Sequence, residues 1–250
     1  MANEKPLMGK TALVTGAAKR LGQATALALA KNGVDLVLHG HKSLADLTAT
    51  KIQAEALGAR AWSVTSDLSS PNAAGELFGE VLSLVGKVDF LVNNASIFPS
   101  DRMADATWEN LSENLKLNAW APMALTREFA AQGREGAVVN LLDARIHDYD
   151  SEHLSYHLSK RMLHSLTRMT ALEYAPNIRV NAVAPGLILP PEGKDGAYLQ
   201  SLAHTNPLQR IGCVEDVADA IVFLFSNSFV TGQTIYVDGG RHMKGNIYGG

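Results

Sequence analysis

A chain of 250 residues, 46% hydrophobic and 19% charged, suits one α/β domain with a large core. Its net charge of -3 argues against a polyanion partner, so no nucleic-acid role is expected. A single cysteine, Cys213, leaves no internal disulfide. The opening "MANEKPLMGK" has no apolar signal core and no run is long and apolar enough to span a bilayer, so a cytoplasmic protein with no membrane partner is expected.

Short apolar runs alternate with longer helical patterns. "TALVTG" reads as the first strand, and "RLGQATALALAKNG" as an Ala/Leu-rich helix closed by Gly33. "VDLVLHG" is the second strand, followed by a helix from about Ser43 to Leu57. "ARAWSVTSDLS" is a third strand with a turn, and Pro71 opens a helix that ends near Gly86. "VDFLVNNAS" is the fourth strand, before a helical region covering roughly Ala106 to Gln132. "GAVVNLLD" is the fifth, and a second long helix runs from about Ser151 to Tyr174. "IRVNAVAPG" is the sixth, followed by the irregular "LILPPEGKDG". Helix "VEDVADAIVFLFS" and strand "GQTIYVDGG" complete the pattern.

This alternation predicts a single-domain, Rossmann-type, doubly wound parallel sheet of about seven strands with helices on both faces. The strands read as continuous apolar runs because both sheet faces are covered. The domain is expected to span residues 1–250, with 240–250 as a C-terminal tail, and to bind ligands at the carboxyl ends of its strands.

"TGAAKRLG", Thr15 to Gly22, lies at the first strand-to-helix turn. Gly16 permits a tight turn, Gly22 permits close helix packing, and the helix N-terminus offers N–H groups and a positive dipole to a pyrophosphate. Arg20 stands where a middle glycine could be, so the motif is incomplete and takes its weight from its position. An acidic residue ending the second strand would accept the ribose hydroxyls of NAD. Asp35 begins that strand instead, and the strand ends in His39, Gly40, His41, Lys42 and Ser43. With Arg20 expected across the crevice, this end suits a 2'-phosphate and predicts NADPH as cofactor. Either His39 or His41 can equally be a satisfied loop histidine. Asp67 can cap the next turn or contact the adenine. Asn93 and Asn94, in "VNNAS", can leave room for the cofactor or tie neighbouring loops together.

Tyr156 and Lys160 lie four residues apart on a helix and share a face. A phenol titrates near pH 10, whereas an ammonium about 5 Å away at an effective dielectric near 20 favours tyrosinate by about 3 kcal/mol, roughly two pKa units. That would bring the phenol into working range for proton transfer.

With "TGAAKRLG", "NNAS", Asn118 in "LKLNAWAP", Tyr156/Lys160, "APG" at Ala184–Gly186 and "YVDGG", nearly the whole chain resembles the short-chain dehydrogenase/reductase family. The resemblance implies that Asn118 supports a proton-relay water and that Pro185 and Gly186 lie beside the nicotinamide. It also implies a homotetramer built on the two long helices.

Thirteen residues before Tyr156, where many such enzymes place a serine, stands Asp143. A serine donates to a substrate carbonyl oxygen, whereas an ionised aspartate only accepts. It would repel a developing alkoxide and raise the tyrosine pKa against Lys160. A nitrogen heterocycle, with N–H donors and a ring nitrogen needing a proton, is better served. "TGAAKRLG", "HGHKS", "NNASIF" and the Asp-to-Tyr spacing resemble more narrowly the pteridine reductase branch, with dihydromonapterin reductases nearby. That implies a pterin as small-molecule substrate, with Ser96, Phe98, Asp143 and Tyr156 against it. The implied catalytic set is Asp143, Tyr156, Lys160 and Asn118. The cofactor is expected to touch Gly16, Arg20, Leu21, His41, Lys42, Ser43, Asp67, Leu68, Asn94, Ala95, Ser96, Tyr156, Lys160, Pro185 and Gly186. No metal is expected. Alternative readings are a carbonyl reductase acting on another substrate, such as a 3-oxoacyl thioester, and a non-catalytic NADPH-binding sensor.

Overall fold

The computed structural model describes residues 7–191 and 193–246. Its strands are β1 Thr11–Val14, β2 Asp35–Gly40, β3 Ala61–Thr65, β4 Phe90–Asn93, β5 Gly136–Leu141, β6 Ile178–Pro185 and β7 Thr234–Val237. They form one seven-stranded sheet in the order β3-β2-β1-β4-β5-β6-β7. Every pairing is parallel, with Val14 level with Leu38 on one side and Val92 on the other. The helices are α1 Arg20–Lys31, α2 Leu44–Ala56, α3 Ala73–Val85, α4 Trp108–Leu115, α5 Ala121–Ala130, α6 Leu154–Glu173, α7 Gly196–Ser201 and α8 Val214–Ser226.

Successive strand residues face opposite sides, so each sheet face has its own core. Ala12 and Val14 of β1 pack with Ala26 and Leu29 of α1 and Ile221 and Leu224 of α8. Leu13, from the same strand, packs on the other face with Phe78 of α3 and Leu125 and Phe129 of α5. This explains why the strands read as unbroken apolar runs, and the single-domain fold expected from the alternation is the one observed. No helix among the described residues is long and apolar enough to cross a membrane.

The boundaries differ where side chains take over backbone hydrogen bonds. Pro71 does not open α3. The amides of Ser70 and Ala73 are spent on a turn to Asp67 and Ser70, which delays the helix to Ala73. α6 starts at Leu154 rather than Ser151, because Asp150 accepts the amides of Glu152 and His153. Asp101 also pairs its backbone with Glu152 and Leu154. The helical region expected over 106–132 begins after Thr107, whose hydroxyl caps α4, and ends at Ala130. Its middle is a π-helical turn, Lys116–Trp120, that contains Asn118. Within the irregular 187–205 segment, Asp195 caps the short helix α7. The tail forms a 3₁₀ helix over Arg241–Asn246. The expectation of a tail to residue 250 extends outside the described residues.

The chain progresses from β1 to β3 in one direction and then crosses to β4 on the other side of β1, which opens a crevice beyond the carboxyl ends of β1 and β4. Thr15 stitches its floor: the hydroxyl accepts the amides of Asn94 at 2.9 Å and Ala95 at 3.0 Å. The Asn94 side chain returns two bonds, to the carbonyls of Thr15 at 2.8 Å and Gly16 at 3.1 Å. Gly22, on the first turn of α1, packs so closely that a Cβ there would run into the Gly16 carbonyl and the Asn94 amide. Gly22→Ala should therefore cost about 1–3 kcal/mol through overpacking and lower Tm by several degrees. A thermal unfolding curve with an unchanged midpoint would refute the close approach.

Candidate active site

At this crevice Gly16 takes φ +64° and Arg20, the first residue of α1, takes φ +58°. No side chain caps α1 and no acid occupies its first turn. Its N–H groups and positive dipole end are thus available to an anion. The Arg20 guanidinium donates through Nη2 to the Pro190 carbonyl at 2.7 Å, joining the start of α1 to the segment after β6. Lys42 is exposed after β2 and forms no ion pair among the described residues.

The remaining residues at this end separate clearly. His39 is buried, with Nε2 beside Ser66, and burial lowers its pKa to about 4. It is a neutral packing histidine. His41 is exposed, 4.0 Å from the Asp67 carboxylate. Asp67 accepts the amide and hydroxyl of Ser69, and these bonds lower its pKa. Both the turn and the ligand-facing reading of Asp67 are compatible with that geometry. Leu68 is buried in the core face that holds Leu13, and Ser43 is half-buried at the start of α2. Asp35 stands at the far end of β2, paired with Arg60 at 2.6 Å. The end of β2 that faces the crevice carries no carboxylate. Asn94 ties β4 to the first turn through the bonds already described.

A cavity of about 490 Å³ occupies the crevice. Gly16, Arg20 and Leu21 line it from the first turn, and Asn94, Ala95, Ser96 and Phe98 from the end of β4. Asp143, Tyr156, Pro185 and Gly186 complete it at the other side. His41, Lys42, Ser43, Asp67 and Leu68 do not line it, and Asn118 and Lys160 are buried behind it.

The Tyr156 hydroxyl donates to Asp143 Oδ2 at 3.1 Å. One helical turn on, Lys160 is buried and donates to the Leu141 carbonyl at 2.8 Å, with Nζ 5.6 Å from the Tyr156 ring centre. Burial lowers the Lys160 pKa to about 8, and Asp143 acts in the opposite direction. Burial, then the charge and hydrogen bond of Asp143, push the Tyr156 phenol well above its ordinary value, while Arg145 pulls it down. The downward tuning expected from Lys160 is not seen, and the phenol is raised instead. A Coulomb sum at fixed dielectric omits the cost of removing tyrosinate from water, which here is the largest effect. These effects favour the protonated phenol.

Asn118 is a junction. Its Oδ1 accepts from Ser96 Oγ at 3.0 Å and the Ile97 amide at 2.9 Å. Its Nδ2 donates to the Ile97 carbonyl and to Ser159 Oγ, each at 3.0 Å. The π-helical turn thereby ties the end of β4 to α6.

Arg145 was not foreseen from the sequence. Its amide donates to Asp143 Oδ1 at 2.8 Å, its Nε lies 3.8 Å from the same oxygen, and its Nη2 lies 2.9 Å from Asp150 Oδ2. Asp150 also holds His153 at 3.2 Å. The His153 ring stacks on Phe98 at 4.0 Å, and Phe98 meets Tyr156 edge-on at 4.6 Å. Asp143, Arg145, Asp150, His153, Phe98 and Tyr156 thus form a closed ring of contacts. Since Asp143 and Arg145 push Tyr156 in opposite directions, their removal should shift its titration in opposite directions. Ultraviolet titration, with Tyr156→Phe as blank, should place Tyr156 at lower pH in Asp143→Asn and at higher pH in Arg145→Met. Shifts of the same sign would mean that the two charges do not act on the phenol.

A family described as Enoyl-(acyl carrier protein) reductase matches residues 16–242. The L-rhamnose 1-dehydrogenase (NAD(P)(+)) of Sphingomonas sp. (strain SKA58) is 32% identical, across 96% of this chain and 99% of its own. The 3-oxoacyl-(acyl-carrier-protein) reductase FabG of Staphylococcus epidermidis (strain ATCC 12228) is also 32% identical, across 94% of this chain and all of its own. Among solved structures, FolM alternative dihydrofolate reductase 1 from Brucella canis, complexed with NADP, superposes with a TM-score of 0.90 at 30% identity over 96% of each chain. Matched along nearly its whole length by sequence and by fold, the chain belongs to the short-chain dehydrogenase/reductase family of oxidoreductases.

Proposed function

We propose that this oxidoreductase reduces a pterin with NADPH, most simply a 7,8-dihydropterin to its 5,6,7,8-tetrahydro form. The observation that carries the reading is the 3.1 Å contact between Tyr156 and Asp143. A carboxylate there repels an alkoxide, and it leaves the phenol protonated for delivery to a ring nitrogen. Asp143 offers about four lone-pair sites, of which the Arg145 amide and the Tyr156 hydroxyl use two, so it can also accept substrate N–H groups. Ser96 and Phe98 form the slot for the flat ring, with Phe98 backed by His153.

The uncapped start of α1 suits a pyrophosphate, and the β2 end, with Lys42 and no carboxylate, suits a 2'-phosphate. Bound NADPH supplies the hydride that goes to a ring carbon. Lys160 fixes the α6 side of the site through the Leu141 carbonyl and stands ready for the nicotinamide ribose. A homotetramer fits α6, whose Leu158, Met162, Met169 and Leu172 remain exposed in the single chain.

The relatives whose names denote oxoacyl and ketoacyl reductases favour a second reading, reduction of a 3-oxoacyl thioester. Following NADPH loss with dihydrobiopterin or dihydromonapterin, with an oxoacyl ester and with neither separates the two. Pterin turnover is expected, falling about 100-fold or more in Asp143→Ser. Turnover of the oxoacyl ester alone would overturn the proposal. Because Arg20 is engaged by Pro190, Lys42 is the main free cation expected to meet a 2'-phosphate. Lys42→Ala should cut the preference for NADPH over NADH about 10- to 100-fold, and adding Arg20→Ala should deepen the loss. An unchanged ratio of the two kcat/KM values in the double variant would remove the 2'-phosphate assignment.

A further inference from the structure

We propose that Arg241 is a specificity-determining residue that binds an oxyanion, a carboxylate or a phosphate, carried by the non-reacting part of the substrate. Its placement begins with the chain reversal after β7. Gly239 and Gly240 take φ +63° and +84°. Asp238 accepts the amides of Gly240 at 2.9 Å and His242 at 2.7 Å, and the His242 ring at 2.8 Å. The reversal is pinned on both sides of Arg241, which lines the same cavity as Asp143 and Tyr156.

The two arginines at this end of the cavity differ in their partners. Arg145 is matched by Asp150 at 2.9 Å and Asp143 at 3.8 Å. Arg241 forms no ion pair among the described residues, and its Nη1 is buried without a hydrogen-bond partner. Asp143 and Asp148 act on it from beyond ion-pair range, while burial and the Arg145 cation make its charge harder to hold. A guanidinium keeps its charge and its five donors in any case, and no side-chain hydrogen bond among the described residues engages the half-exposed fork, so donors remain for a bound anion.

Charge around the cavity points the same way. Among the described residues that line it, Lys19, Arg20, Arg145 and Arg241 stand against one acid, Asp143. Lys19 and Arg20 belong to the start of α1, where a dinucleotide pyrophosphate is accounted for. The surplus at the Asp143 end therefore falls to Arg241. Its planar fork matches a carboxylate or a phosphate in two-point contact. A neutral substituent would leave that fork unanswered.

The pterin reading supplies only the choice of probes. With NADPH saturating, kcat/KM is measured for 7,8-dihydrofolate, whose tail bears carboxylates, and for the uncharged dihydromonapterin. Arg241→Met should lower the value for dihydrofolate about 10- to 100-fold more than the value for dihydromonapterin, chiefly through KM. Arg241→Lys should recover part of the difference, since it keeps the charge and loses the fork. An equal fall on both substrates would overturn the assignment. In parallel, p-aminobenzoylglutamate and inorganic phosphate are titrated into the NADPH-loaded protein by calorimetry. Loss of p-aminobenzoylglutamate binding in Arg241→Met supports a carboxylate site, and loss of phosphate binding a phosphate site. Binding of neither by the wild type, or binding that Arg241→Met leaves intact, would overturn it. If no pterin is turned over, the proposed function fails, while these titrations still decide the role of Arg241.

Discussion

The site depends on the gap between β1 and β4, where the sheet changes its direction of growth. Strands that diverge in connectivity leave their carboxyl ends without a covering crossover, so backbone groups there need other partners. Thr15 and Asn94 supply them across the gap, in four bonds all donated from the end of β4. That cross-stitch holds the first turn open and sets Gly22 hard against it, so the free N–H end of α1 aims into the crevice. The same strand end leads on to Ser96, Ile97 and Phe98. Asn118 fixes that run to α6, which carries Tyr156 and Lys160. One polar seam therefore positions both the start of α1 and the Tyr156/Lys160 pair.

Within the reacting end, burial outweighs pairwise charge. Two groups four residues apart on one helix would, in a uniform dielectric, share a proton readily. Here Lys160 is buried and Tyr156 half-buried, and each is driven toward its neutral form: Tyr156 upward, Lys160 down to about 8. Asp143 changes the balance unequally. Its charge adds to the rise of Tyr156 and offsets part of the fall of Lys160. The result favours a phenol beside a carboxylate, with the ammonium held by a backbone carbonyl. A site so arranged does not favour a developing oxyanion.

The fold was legible because its signal is redundant. Seven apolar runs, each followed by a helical pattern or a turn, admit few topologies. Gly16, Asp143, Tyr156 and Gly186 were legible as cavity residues because strand ends and helix starts must meet there. Element boundaries were less so: Asp150 and Asp101 decide where α6 begins, and Asp101 lies some fifty residues away in sequence. Arg145 was hidden for a related reason. "DARIHDYDSEH" shows its charges, but only the turn that closes Asp143 on the Arg145 amide brings them into one ring. Arg20 kept its place at the crevice yet turned toward Pro190, because a side chain at the first position of α1 can reach either wall. Sequence spacing cannot choose between them.

The ring from Asp143 to Phe98 also explains why one family frame can serve different substrates. The cofactor end is built from backbone amides and glycine turns whose geometry the sheet dictates. The substrate end is built from side chains on the 143–153 turn, the run after β4 and the reversal after β7. None of these is a strand, so their residues can change without disturbing sheet register. Replacing a hydroxyl donor by Asp143 reverses the polarity of the reacting centre. It also requires a counter-charge, which Arg145 and, through it, Asp150 and His153 provide. The carboxylate is thus the visible member of a set of residues joined by contact, and the whole set, rather than Asp143 alone, defines the chemistry this site can accept.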